Sequence, residues 1–224
     1  MTSKKLIVGY WNIQGLAHST RLLLAYHGVE FEDKIYKTKS EWFDHAKPKL
    51  NTVYPRLPYI QDGDFVMTES IAVIQYAALK TGNQDLLGKS HLDRVKISQT
   101  WGVVNDLRMV IGTLARDPKY ETVRDETLAE KASPYLERIS KALGDKEFSQ
   151  GYLTWADFDL FYRLELVGRI KPGYLGQWPN LVEFHKRMNN EGVKKYRKSE
   201  NYPKFYLYPE STPWPGEERP DRLI

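Results

Sequence analysis

Cysteine is absent from all 224 residues, so no disulfide framework, cysteine metal cluster or cysteine nucleophile is available. No apolar run approaches the roughly 20 residues that a membrane-spanning helix needs. The opening Leu6-Ile7-Val8-Gly9 is too short for the apolar core of a signal peptide and reads as a first strand. No Asn-x-Ser/Thr acceptor occurs, and the five histidines, His18, His27, His45, His91 and His185, lack metal-ligand spacing. Neither a phosphate-binding Gly-x-x-x-x-Gly-Lys loop, a Gly-x-Gly-x-x-Gly nor a Gly-x-Ser-x-Gly is present. One-signed charge is missing too: 33 basic residues are interleaved with 29 acidic ones, which argues against a nucleic-acid partner. The most basic stretch, Lys186 to Lys198, reads as a solvated helix face. These absences leave a protein expected in the cytoplasm, with no nucleic acid, membrane or metal implied.

What is present is a change of pattern along the chain. Leu6 to Tyr10 is strand-like, Leu16 to His27 is helical and ended by Gly28, and Glu30 to Tyr36 is extended again, which makes a βαβ start. Lys37 to Tyr54 reads as irregular. Leu57 to Gln61 and Phe65 to Thr68 flank Asp62-Gly63-Asp64 and predict a hairpin by the Asp-Gly rule. A helix opening at Glu69-Ser70 carries Ile71, Ile74, Ala77 and Ala78 at helical spacing and closes at Gly82. Asn83 to Gly88 is linker-like, and the chain then reads helical to about Glu191. The expected domains are therefore 1–86, α/β, and 87–224, all-helical with an extended tail rich in proline (Pro203, Pro209, Pro213, Pro215, Pro220). Within the second, Thr154-x-x-Asp157 is a capping box marking a helix start.

Three features could carry chemistry. Tyr10 ends the first strand, facing the start of a helix, where open α/β sheets bind ligands, although a tyrosine at such a position is usually a half-buried core residue. Leu57-Pro58 opens a strand whose backbone a cis proline would present to a ligand. Glu69-Ser70 stands at a helix N-terminus: free amides there suit a carboxylate and Glu69 suits an ammonium, the two charges of an amino-acid head group. An ordinary helix start reads the same way.

In this order the segments resemble the cytosolic glutathione transferases, most closely the mu class. Gly9-Tyr10-Trp11-Asn12-Ile13-Gln14-Gly15-Leu16-Ala17-His18-Ser19-Thr20-Arg21-Leu22-Leu23-Leu24 carries nearly the whole mu-class opening signature. The likeness continues through Leu57-Pro58-Tyr59, Thr68-Glu69-Ser70, Asn105 to Met109 and Leu153 to Phe158. The resemblance implies a thioredoxin-like first domain with a mixed four-stranded sheet, an all-helical second domain, and a glutathione site in the cleft between them. It implies that Tyr10 hydrogen-bonds the glutathione sulfur, and that Trp11, Leu16, Trp42, Lys47, Leu57 and Pro58 line the tripeptide site. Glu69 and Ser70 would grip the γ-glutamyl end, with Asp106 reaching from a partner subunit. Ile13, Leu16, Gly112 and Arg116 would hold a small hydrophobic electrophile, and Tyr54 would be the aromatic key of a homodimer. Glutathione is then a co-substrate, with no permanently bound cofactor.

Departures from the pattern bear on selectivity. Glu69 stands for a glutamine, Arg56 for an asparagine, Lys39 for an arginine, and Arg116 for an active-site tyrosine. The loop between Tyr36 and Trp42 is short. The expected activity is conjugation of glutathione to electrophiles. A glutathione-dependent isomerase or peroxidase, or a non-catalytic ligand carrier, are the alternatives.

Overall fold

The computed structural model describes residues 5–200 and 202–217. By contacts the chain divides into two units, Met1–Gln84 with Glu191–Pro203, and Asp85–Asn190 with Lys204–Ile224. The first ends near the expected boundary at 86, but 13 residues far down the sequence, Glu191–Pro203, return to it.

The first unit is built on β1 (Leu6–Trp11), α1 (His18–Tyr26), β2 (Phe31–Tyr36), β3 (Tyr59–Asp62), β4 (Phe65–Thr68) and α2 (Ser70–Lys80). The strand order is β2-β1-β3-β4. β1 runs parallel to β2 and antiparallel to β3, and β3 pairs antiparallel with β4, giving the mixed four-stranded sheet. Nearly every residue of α1 is buried, because it packs against both α2 and α8 (Glu191–Arg197). Such a helix cannot be two-faced.

Three local expectations are corrected. Asp62 pairs with Phe65, so the hairpin's central residues are Gly63 and Asp64; Gly63 has φ 63°, the requirement for glycine first in a type II′ turn. Lys37 to Tyr54 contains a π-wound turn, Glu41–Ala46, followed by a 3-10 turn, Lys47–Lys49. That winding carries Trp42 inward, where its ring lies 5.3 Å from Tyr36 and 6.3 Å from Tyr59. The basic stretch is two helices, α7 (Pro179–Met188) and α8, which belong to different units, and Val193 on α8 is buried.

The second unit comprises α3 (His91–Arg116), α4 (Tyr120–Thr127), α5 (Ser133–Leu143), α6 (Trp155–Ile170) and α7, with α6 almost wholly buried. The tail follows over 204–217; Pro220 lies outside the described residues. No helix among the described residues is long and apolar enough to cross a membrane.

Candidate functional site

In the first unit the signature segment closes on itself. Tyr10 is the penultimate residue of β1 and 6% exposed. Its hydroxyl accepts the backbone N–H of Leu16 at 3.2 Å, so the loop after β1 folds back over the phenol. Gly15 makes this possible: φ is +44°, and a Cβ there would stand 2.7 Å from the Tyr10 ring. Only glycine meets both conditions cheaply. The same loop is fastened from below by Arg21 of α1, which donates to the Ile13 carbonyl at 2.9 Å and pairs with Asp33 of β2 at 2.9 Å. Asp33 also accepts the Tyr196 hydroxyl of α8 at 3.1 Å. Burial alone would push the Arg21 guanidinium down, but the Asp33 carboxylate holds it above its ordinary value. This buried cation lies 5.8 Å from the Tyr10 ring centre.

The other residues of this half fall into two groups. Leu16 is exposed, Trp11, Lys47, Leu57 and Ser70 are half-buried, and Glu69 is exposed. Trp42 is 3% exposed in the aromatic cluster with Tyr36 and Tyr59, whose hydroxyls share a hydrogen bond at 2.9 Å. Burial pushes the Tyr59 phenol well above its ordinary value. Ile13 and Pro58 are also buried, and the Leu57–Pro58 peptide is cis. Glu69 caps α2 with φ 69°, the one non-glycine residue with positive φ among the described residues. Ser70 then begins an 11-residue helix whose first amides lack helical acceptors and attract an anion.

Two charged departures meet here. The Arg56 guanidinium lies 2.8 Å from the Glu69 carboxylate, both well exposed. An exposed pair of this kind adds little stability, yet it balances the charge that Glu69 introduces. Opposite charges at two unusual positions were the signal in the sequence; their contact was not. Tyr54 and Val53 stand out from this unit at 71% and 85% exposure.

In the second unit, Asp106 is exposed on α3. Gly112 is buried two turns further along α3, and its carbonyl accepts the exposed Arg116 guanidinium at 2.8 Å. A cavity of about 300 Å³ opens elsewhere on this unit, floored by Val103, Ile139, Leu143 and Leu160 and rimmed by Gln99 and Arg138.

A mixed sheet with a tyrosine held at the end of β1, joined in one chain to a helical unit, defines the class to which the comparisons also lead. Residues 7–79 match the family Glutathione S-transferase, N-terminal domain, and 105–200 match Glutathione S-transferase, C-terminal domain. The chain belongs to the glutathione S-transferase family, with a thioredoxin-like first domain. Among its relatives, the class-mu 26 kDa isozyme 7 of Fasciola hepatica is 32% identical, covering 95% of this chain and 97% of that protein. Glutathione S-transferase Mu 2 of Homo sapiens is 34% identical over 87% of this chain and 91% of its own length. The solved pi-class glutathione S-transferase of Onchocerca volvulus superposes with a TM-score of 0.75 at 25% identity, covering 86% of this chain and 92% of that one.

Proposed function

We propose that this protein conjugates the thiol of glutathione to small hydrophobic electrophiles, with Tyr10 activating the sulfur. The observation that carries the reading is the held phenol: accepting the Leu16 N–H polarises the Tyr10 hydroxyl and strengthens it as a donor. A donor to the charged form of a thiol lowers its pKa from about 8.5 and enriches the nucleophile at neutral pH. The Arg21 cation favours negative charge in the same neighbourhood. The sulfur attacks the electrophilic carbon, forming a C–S bond as a leaving group departs with its electron pair or a π bond opens.

Glutathione binding follows from the chemistry of its ends. The amides at Ser70 take the α-carboxylate of the γ-glutamyl group, and Glu69 takes its ammonium. Leu57 offers backbone to the cysteinyl part, with Pro58 setting that edge; Trp11, Leu16, Trp42 and Lys47 supply the remaining wall. Ile13, Leu16, Gly112 and Arg116 face the electrophile. A homodimer completes the assembly: the exposed Tyr54 fits the apolar cavity floored by Ile139 and Leu143 on a second copy, and Asp106 approaches that copy's glutathione. Glutathione must be held as the thiol, which suits a reducing cytosol.

Tyr10→Phe tests the central role. It is expected to lower kcat by about tenfold to a hundredfold and to raise the pH at which bound glutathione ionises by about one unit or more, read by ultraviolet titration of the thiolate. Unchanged turnover and titration would remove Tyr10 from the mechanism.

A further inference from the structure

The loop between β1 and α1 is held almost residue by residue. Asn12 N–H donates to the Tyr36 carbonyl of β2 at 3.2 Å, the Ile13 carbonyl accepts from Arg21, and Leu16 N–H reaches the Tyr10 hydroxyl. Between them stands Gln14, fully buried although polar. Its Nε2 donates to the Tyr202 hydroxyl at 3.2 Å and to the Pro203 carbonyl at 2.9 Å. Of these four holds, the one on Gln14 comes from farthest along the chain, because its partners end the returning segment Glu191–Pro203.

Tyr202 is itself fixed in place. Its ring lies edge-on to Tyr196 at 5.1 Å and to His18 of α1 at 5.5 Å, and its N–H donates to the Ser199 carbonyl at 3.1 Å. Since its oxygen accepts from Gln14, its hydrogen is left for Nε2 of the fully buried His18, 3.3 Å away. The phenol thus ties α1 to the loop. What the loop delivers is the Leu16 amide, and the bond to Tyr10 is 3.2 Å long, at the outer end of the ordinary N–H···O range. A further drift of roughly a few tenths of an ångström would forfeit much of it.

Resting on the reading of Tyr10 as thiol activator, we propose that Tyr202 and Gln14 are positioning residues for the reaction: they fix the Leu16 amide on the Tyr10 phenol and so set how far the glutathione thiol is acidified. Both act through Tyr10 and not on the sulfur itself. Without the Tyr202 hydroxyl, Gln14 has one acceptor fewer and His18 loses a donor, so the loop is freed on the side away from Tyr10. With the amide displaced, the Tyr10 O–H is a weaker donor and the thiol pKa rises. A raised thiol pKa lowers the thiolate fraction at pH values below it and leaves that fraction full well above it.

Tyr202→Phe keeps the ring against Tyr196 and His18 and deletes the hydroxyl. Bound glutathione would be titrated by its thiolate absorbance in the ultraviolet, and turnover with 1-chloro-2,4-dinitrobenzene followed against pH at saturating glutathione. Both midpoints should move up by about 0.3 to 0.5 unit, less than the full worth of the Leu16 hydrogen bond, for a roughly twofold to threefold loss of thiolate on the acid side. Gln14→Met, which removes both donated bonds, should move them further, and it decides the matter alone should Tyr202→Phe not fold. In a Tyr10→Phe background neither substitution should shift the midpoint again. An unmoved midpoint, whatever happens to the melting temperature, would overturn the proposal and leave Tyr202 and Gln14 as packing residues. A shift that adds in full to that of Tyr10→Phe would also overturn it, since the effect would then bypass Tyr10. If Tyr10→Phe by itself leaves the titration unchanged, the reading of Tyr10 falls and takes this proposal with it.

Discussion

Asp33 of the first unit and Asp157 of the second are both carboxylates held out of water, and opposite means placed them there. Asp157 is satisfied almost next door: its carboxylate accepts the N–H and hydroxyl of Thr154, each at 2.8 Å, and the Ser149 N–H at 2.9 Å. Burial pushes its carboxyl up, and those donors oppose the shift. Asp33 answers to residues brought from afar, Arg21 on α1 and Tyr196, which is 163 positions away on α8. A local carboxylate finishes one helix end. The distant one fastens a helix, a strand and a returning segment beneath the loop that covers Tyr10.

Breaking the distant network should cost most. Asp33→Ala leaves a fully buried guanidinium without its anion, and the expected loss is about 3–5 kcal/mol, read by urea unfolding followed through tryptophan fluorescence. Adding Arg21→Met in the same chain should recover a good part of that loss, because the stranded charge is then gone. A loss under about 1 kcal/mol for the single variant would mean that solvent reaches Arg21 and that the two carboxylates do not differ as described.

The local carboxylate comes next. Asp157→Ala leaves the amides of Ser149 and Thr154 without an acceptor and removes the cap of α6, for an expected loss of about 2 kcal/mol. Asp157→Asn keeps an acceptor and should lose less. If both variants equal Asp33→Ala in cost, the contrast between local and distant placement fails.

The last effect appears only in alkali and adds to the comparison a buried phenol, Tyr120, whose burial is only partly offset by Arg124, 6.0 Å from its ring centre. Burial pushes the Tyr120 phenol up to about 12. The unfolded chain would lose that proton first, near pH 10. Stability should therefore fall as pH rises from about 10 and level off above about 12, with a loss of about 1 kcal/mol midway. Tyr120→Phe should remove that part of the alkaline loss. Identical slopes in wild type and variant over this window would contradict the burial.

The sequence by itself determined whatever depends on neighbours in the chain. The β1-α1-β2 start, the capping box at Thr154, the helix opening at Glu69-Ser70 and the glycine beside Tyr10 all follow from short-range backbone rules or from one contiguous signature. The same rules made the hairpin turn one residue too long, since Asp62 pairs in β3, and left Glu41–Ala46 irregular, since a π-wound turn answers to where Trp42 must go and not to propensity. Tertiary structure alone decided the rest: the return of Glu191–Pro203 to the first unit, the Arg21–Asp33–Tyr196 network, the Arg56–Glu69 pair, and the hold of Tyr202 on Gln14. Each joins residues too far apart in sequence for periodicity or spacing to connect, and each exists because a buried charge or ring takes its partner from whatever segment the packed core brings within reach.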